Sequence, residues 1–529
     1  MTTIEMKKSP APMILPASAS KITNQPRPTG MSILTLAAVA ISFLTILTMP
    51  QSGEAMPPEY YTIEDIVLPS HVAPEVGGLA FNSKGELIVL LRRHGIIIGK
   101  PTEDPGTFEW RQFTDMSLHN PMGLLLEDDN TMLVPQMAEL TRIADTDDDG
   151  VADSFETISR AFGLSGNYHE TTGGPIPDGR GNWYLAVGTA SHNGPVFRHT
   201  QGDYSPIGRR GRNFSAVEYR GWVVRINADG SLTPWASGFR ANNGIAMRMD
   251  DTLWVADNQG DWRGTSPIYH IEKGHFYGHP SSLVWDKNWK NGDPLKYPIE
   301  KLDAMRTRAA VLLPQGEMCN SPAEPIFDIN NGNFGPFRNQ MFVGDIAGQR
   351  ILRIMLEKVN GQFQGACIPF ILNSGLRGGN NRFAWSPNGR SLYVGQTYRG
   401  WGRPEEGLQR ITWTGRTPFE VEDIHIRKDG FVLEFTHDID TDAFSDAGRF
   451  KVQNYHYDYG HKYGSPKRDV TDIPVTKVTP LENGRSVHIA LKSMTPEKIY
   501  QFELSNLNSA NGLPLIHGTL CYTCNVLPD

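Results

Sequence analysis

The feature that most constrains this chain is a repeat. Segments beginning at Gly77 (GGLAFNSKGELIVLL), Pro121 (PMGLLLEDDNTMLVP), Gly173 (GGPIPDGRGNWYLAV), Asn243 (NGIAMRMDDTLWVAD), Phe334 (FGPFRNQMFVGD) and Asn381 (NRFAWSPNGRSLYVG) share one design. An apolar run leads into a polar turn of Asp, Asn or Gly, then a second apolar run, often with a third behind it. Alternating apolar residues on either side of such a turn are the signature of β-hairpins. A weak repeat of this period points to stacked or radially arranged units. Six units predict a six-bladed β-propeller over residues 60–415, an all-β fold that protects sheet edges and leaves a central channel whose mouth can hold a site. A β-sandwich or β-helix is the alternative. With 529 residues, 53 glycines and 37 prolines the chain suits a turn-rich β protein. Insertions at 194–219 and 281–314, rich in Arg, Trp, Tyr and Gly, would decorate one face. Beyond a boundary at 414–420, short alternating runs separated by DG, NG and Pro turns predict a β-sandwich over 418–529, immunoglobulin-like in pattern. Its aromatic stretch NYHYDYGHKYG (454–464) either packs or offers rings to a sugar face.

The formal charge of −8 is spread along the chain. No basic patch with interleaved aromatics appears, which argues against nucleic acid as a partner. Residues 1–30 are polar and basic, and residues 31–49 are apolar and uncharged. Residues 31–55 read as a signal peptide core or as a membrane anchor. Either reading exports the rest to the periplasm or beyond, with membrane contact only through this segment if it is uncleaved. Four cysteines are too few for a disulfide scaffold. Cys521 and Cys524 could close a small disulfide or form a chance pair, and Cys319 could pair with Cys367. The absence of CxxCH means that no covalent haem is encoded.

Three constellations could carry chemistry. In DTDDDGVADSFE (145–156) carboxylates fall at positions one, three, five, nine and twelve, with a glycine at six. This matches a calcium loop, in which a hard cation gathers oxygen ligands that would otherwise repel. Asp145, Asp147, Asp149, Asp153 and Glu156 are the expected ligands, with the Val151 carbonyl, in a structural role beside the second and third blades. His169 precedes a repeat strand where loops reach the mouth, and a neutral imidazole there could accept an alcohol proton. Arg240, Asn242 and Asn243 precede the next repeat strand, Asp257 and Asn258 follow it, and Arg377 with Asn380 and Asn381 occupies the matching point of the last unit. Arg suits planar anions such as carboxylates or quinone oxygens, and Asn with Asp suits Ca²⁺. Turn chemistry alone would also explain Asn and Gly there.

The stretches RIADTDDDGVAD, NYHETTGGPIPDGRGNWYLAVGT, GFRANNGIAMRMDDTLWVADNQGDW, HFYGHP and NNRFAWSPNGRSLYVGQTYRGWG together resemble the glucose/sorbosone dehydrogenase-like propellers, the soluble quinoprotein group. They look closest to the predicted "membrane-bound dehydrogenase" propellers of planctomycete-type bacteria. The resemblance covers most of the chain after the N-terminal segment. It implies oxidation of a sugar or sugar-derived alcohol, with pyrroloquinoline quinone (PQQ) as cofactor and a separate electron acceptor. It further implies His169 as base, Arg240, Asn243 and Arg377 near the quinone, and a second calcium at the rim. The chain reads RANNG where those relatives tend to read R-N-P-x-G, which bears on the asparagine assignment. NNGIAMRMDDTLWVADN also resembles the strand of Ca²⁺-dependent lactonases, in which an asparagine binds a central catalytic calcium. A third alternative is a non-catalytic, calcium-stabilised propeller that binds a glycan or protein partner.

Overall fold

The structure is a computed structural model that describes residues 55–400 and 405–529; the apolar run at 31–49 lies outside the described residues. Strands dominate, and Ile299–Met305 is the single α-helix among the described residues. No described helix is long and apolar enough to cross a membrane.

Five four-stranded antiparallel sheets, and the first four strands of an eight-stranded one, form six consecutive blades. Blade 1 holds Val76–Phe81, Leu87–Leu91, Gly95–Pro101 and Phe108–Thr114, and blade 2 holds Leu125–Leu126, Thr131–Pro135, Leu140–Ala144 and Ser154–Ser159. Blade 3 holds Thr172–Pro177, Trp183–Val187, Trp222–Ile226 and Leu232–Ser237. Blade 4 holds Gly244–Met247, Leu253–Ala256, Ser266–Ile271 and Val311–Leu313. Blade 5 holds Pro322–Phe327, Met341–Asp345, Arg350–Val359 and Gln362–Leu372. Blade 6 takes three strands, Asn380–Trp385, Ser391–Gln396 and Gly407–Trp413, from late in the chain and its outermost strand, Tyr61–Asp65, from the beginning.

Neighbouring blades touch in cyclic order. Gly77 lies against the Pro121 carbonyl, Met122 bridges to Gly173, and Gly173 lies against Asn243. Gly244 lies against Glu324, Gly344 against Asn380, and Gly395 against Val76. The β-propeller expectation therefore holds. Glycine is needed where the backbones meet: a Cβ on Gly244 would lie 2.3 Å from the Glu324 Cα.

One repeat begins earlier than its sequence suggests. Blade 5 opens with PAEPIF, not at Phe334. Its two prolines hide the alternating pattern, and the ladder is irregular between Pro322 and Pro325.

A buried arginine stops the channel. Arg382 donates to the carbonyls of Met122 (2.9 Å), Asn243 (3.0 Å) and Asn381 (2.8 Å), which open blades 2, 4 and 6. A register shift between Asn380 and Arg382 makes Asn381 an extra, bulged residue, the device by which strands re-aim a side chain near a site.

The C-terminal region forms two packed sheets. Val421–Arg427, Gly430–Phe435, Ser486–Leu491 and Val475–Pro480 make one. The other continues blade 5 outward: Gln362–Leu372 pairs with Thr519–Cys524, followed by Lys498–Leu504, Phe450–His456 and Arg468–Asp472. Phe419, Phe431, Phe435, Phe444, Phe502 and Tyr522 fill the space between them. All four cysteines are buried free thiols. Neither disulfide that the sequence left open forms. Cys521 and Cys524 share one strand three residues apart, so they point to opposite faces.

Replacing Arg382 with methionine keeps the bulk but leaves three buried carbonyls without donors. At about 1–3 kcal/mol for each buried group left unmade, Arg382→Met should lower the unfolding free energy by at least about 3 kcal/mol, read as an earlier urea midpoint. An unchanged midpoint would show that the axis does not need this plug.

Candidate active site

In an antiparallel blade, the connections from strand two to three and from strand four to the next blade emerge at one end. His169 lies in the connection into blade 3, and Arg240 to Asn243 in the connection into blade 4. Thr189, Asp257 to Arg263, and Arg399 lie between strands two and three of blades 3, 4 and 6. All of them therefore share one mouth. The Asp145 loop joins strands three and four of blade 2 and emerges at the opposite end.

His169 is oriented by its neighbours. Its Nδ1 lies 2.8 Å from the Thr189 carbonyl. A carbonyl only accepts, so Nδ1 carries the hydrogen and Nε2 the lone pair. Burial, reinforced by the charge of Arg240 and opposed by the Thr189 carbonyl, lowers the ring to about 4. His169 is thus a neutral imidazole at pH 7 whose basic nitrogen is Nε2. Thr189 in turn donates its hydroxyl to the Arg240 carbonyl at 2.6 Å, so the loops of blades 3 and 4 are linked beneath it.

The buried Arg240 guanidinium is held by Asp261 at 2.8 Å. Asp261 also accepts from the Asn213 backbone N–H at 3.0 Å and lies 3.4 Å from His279 Nε2. Burial pushes the Asp261 carboxyl up, but His279 and Arg240 outweigh it and hold the group well below the usual carboxylate range. Asp257 accepts from the backbone N–H groups of Arg240 (2.9 Å), Ala241 (2.6 Å) and Asn258 (2.8 Å), and pairs with Arg263 at 3.1 Å. It shapes the loop that presents Arg240 and is spent on that task.

At the axis, the Asn243 amide donates to Asn381 Oδ1 at 2.9 Å, and Arg399 donates to Asn243 Oδ1 at 3.3 Å. Burial, with Arg92 and Arg382 nearby, pulls Arg399 down to about 9. Guanidiniums crowded in this way favour an anion beside them. The amide oxygens that a central calcium would use are both taken by N–H donors, since Asn381 Oδ1 also accepts from Arg382 at 3.1 Å. The lactonase alternative and a rim calcium would both call on these oxygens, which already accept from amide and guanidinium N–H groups.

Two expected site residues at this end are engaged away from the cluster. Asn242 is buried, with its amide 3.4 Å from the Trp222 carbonyl, between blades. Arg377 bonds Asp65 at 2.8 Å, on the outermost strand of blade 6. Arg399, Arg382, Arg92 and His279 were not singled out from sequence. Arg92 directly follows the second strand of blade 1, as Asp257 does in blade 4, so comparing the repeats at that phase would have found it.

The Asp145 loop sits between strands, beside blades 1 and 2 rather than 2 and 3. Arg111 of blade 1 donates to the Gly150 carbonyl at 2.7 Å, and Asn130 of blade 2 donates to Asp148 at 2.9 Å. Asp145, Asp147 and Asp149 bring carboxylate oxygens within 4.8 Å of one another. Asp149 pushes the Asp147 carboxyl up, the repulsion a cation relieves. The Val151 N–H donates to Asp149 at 2.8 Å. Asp153 accepts from Thr146, and Glu156 pairs with Arg142 at 2.9 Å along the strand ladder.

No protein-family pattern matches the chain, and no curated protein sequence does. Among solved structures, the PQQ-bound form of an aldose sugar dehydrogenase from Streptomyces coelicolor is similar at 15% identity, over 68% of this chain and 99% of that one, with a TM-score of 0.43. The holo form of the PQQ domain of pyranose dehydrogenase from Coprinopsis cinerea is similar at 12% identity, over 69% and 98%, with a TM-score of 0.48. The calcium structure of the carbohydrate-active enzyme family AA12 protein from Trichoderma reesei is similar at 12% identity, over 69% and 98%, with a TM-score of 0.48.

The depressed His169 value sets a pH window. An unfolded histidine takes up a proton near pH 6.5, while the folded ring resists until about 4. Its contribution to stability is therefore complete above roughly pH 6.5 and is lost as pH falls towards 4. Imidazole NMR titration should place the His169 midpoint near 4, and Arg240→Met should raise it. A midpoint at the ordinary value would contradict this environment.

Proposed function

We propose that the chain is an exported, quinoprotein-type dehydrogenase that oxidises a sugar or sugar-derived alcohol, with electrons leaving to a separate acceptor. The carrying observation is His169: a neutral imidazole, fixed by Thr189 so that Nε2 is basic, in a mouth also reached by Arg240, Arg399, Asn243 and Asn381. A bound PQQ, planar and rich in carboxylates, would supply the two-electron acceptor for which no side chain substitutes. The donor set fits it. Arg240 and Arg399 offer planar forks for its carboxylates and quinone oxygens, and the Asn243–Asn381 pair supplies short polar groups at the axis.

In this reading, His169 Nε2 accepts the proton of the substrate hydroxyl as the adjacent carbon gives up its hydrogen with two electrons. Arg240 is held in place by Asp261 at 2.8 Å, and the buried His279 lies 3.4 Å from the same carboxylate. Negative charge that develops at the mouth then meets a cation that needs no rearrangement. Arg382 closes the channel below, so the mouth is a cup rather than a pore. Ca²⁺ belongs in this proposal to Asp145, Asp147 and Asp149 at the other end of the propeller, where it is structural.

Titration of the protein with PQQ, followed by aldoses and an artificial electron acceptor, tests this. His169→Asn should retain PQQ binding and lose at least about a hundredfold in turnover, the usual contribution of a general base. Binding without turnover in the wild type, or a variant as active as the parent, would refute the assignment. Separately, Asp145→Asn should abolish the rise in melting temperature on adding Ca²⁺ while leaving PQQ binding unchanged.

A further inference from the structure

The C-terminal sandwich reaches the mouth. After the strand Phe450–His456 the chain folds back onto the blade 4 loop that carries Asp261. Trp262 N–H donates to the Gly460 carbonyl at 2.8 Å, Gly464 N–H to the Gly260 carbonyl at 2.9 Å, and Ser465 N–H to the Gly264 carbonyl at 2.9 Å. Asp261 and Tyr463 pair as an antiparallel bridge. Gly264 makes the seat possible, since a Cβ there would lie 2.7 Å from the Tyr457 Cβ. These backbone bonds set the Tyr463 ring beside two guanidiniums, with Arg212 at 4.4 Å and Arg240 at 5.2 Å from its centre. Tyr463 is nevertheless 53% exposed.

A ring held this firmly and left open has its conformational entropy already spent, and its flanking cations orient it. It stands on the same Arg240 whose charge His169 feels. We infer that Tyr463 is a substrate-stacking residue: its open surface takes the apolar C–H face of an aldopyranose, leaving a ring hydroxyl for His169. Tyrosine suits the task because it joins an apolar body to a polar tip. This deepens the proposed dehydrogenase reading and rests on it. It gives the sandwich a part in specificity that the propeller alone cannot supply.

The test uses the full chain with Tyr463→Ala and Tyr463→Phe. Val470→Ala, an exposed change elsewhere on the sandwich, is the control. Binding of D-glucose, D-xylose and cellobiose is read by saturation-transfer NMR, independently of turnover, and PQQ binding and KM are read in parallel. Tyr463→Ala should weaken sugar binding and raise KM about tenfold, the scale of one lost aromatic contact, with kcat and PQQ affinity unchanged; Tyr463→Phe should retain sugar binding. Sugar affinity unchanged in Tyr463→Ala, with turnover intact, would overturn the stacking role and leave the dehydrogenase reading standing. Affinity lost in Tyr463→Ala but kept in Tyr463→Phe, in a protein that neither binds PQQ nor turns over, would keep the stacking role and end the dehydrogenase reading. No sugar binding by any form would overturn the inference.

Discussion

Arg382 closes an axis that six sheets cannot close by themselves. Blades that converge on a ring bring carbonyls together at its centre, and buried carbonyls need donors. The guanidinium supplies them to blades 2, 4 and 6 at once. Its own charge is costly there: burial pulls its pKa down, and Glu324, 3.9 Å away, only partly compensates. The Asn243–Asn381 bond lies beside this plug, since Asn381 Oδ1 also accepts from Arg382.

The mouth works by dividing its polar groups between support and presentation. Asp257 is consumed by backbone N–H groups and Arg263, and Asp261 by Arg240, His279 and Asn213. These buried carboxylates keep Arg240 and its loop fixed. His169, by contrast, is kept neutral by burial and by the same arginine. A neutral base beside fixed cations is an arrangement suited to removing a proton and stabilising the charge that follows. The acidic loop at Asp145 emerges at the far end, between strands three and four of blade 2.

The sandwich is not an appendage. One of its sheets is the outward continuation of blade 5, and Arg353 of that blade donates to the Val421 carbonyl at 2.9 Å. Arg353 also lies 3.5 Å from the buried Glu420. With Tyr463 bridged to Asp261 at the mouth, the region is anchored at its root and at its tip.

Hairpin periodicity made the propeller legible, because alternation and turn residues are local properties that survive without tertiary context. The same locality exposed the Asp145 loop, His169 and Arg240. It failed at PAEPIF, where prolines erase the strand pattern, and at Glu156, whose spacing suits a calcium ligand but whose strand turns it to Arg142. The sequence by itself determined most of the strands and which loops carry charge. Only the tertiary structure decided which of those loops meet: ring closure brings residues more than a hundred positions apart, such as Asn243 and Asn381, into one hydrogen bond, while Arg377 goes to Asp65 instead. Convergence at an axis depends on the number and order of blades, and no local pattern encodes the distance between two loop tips.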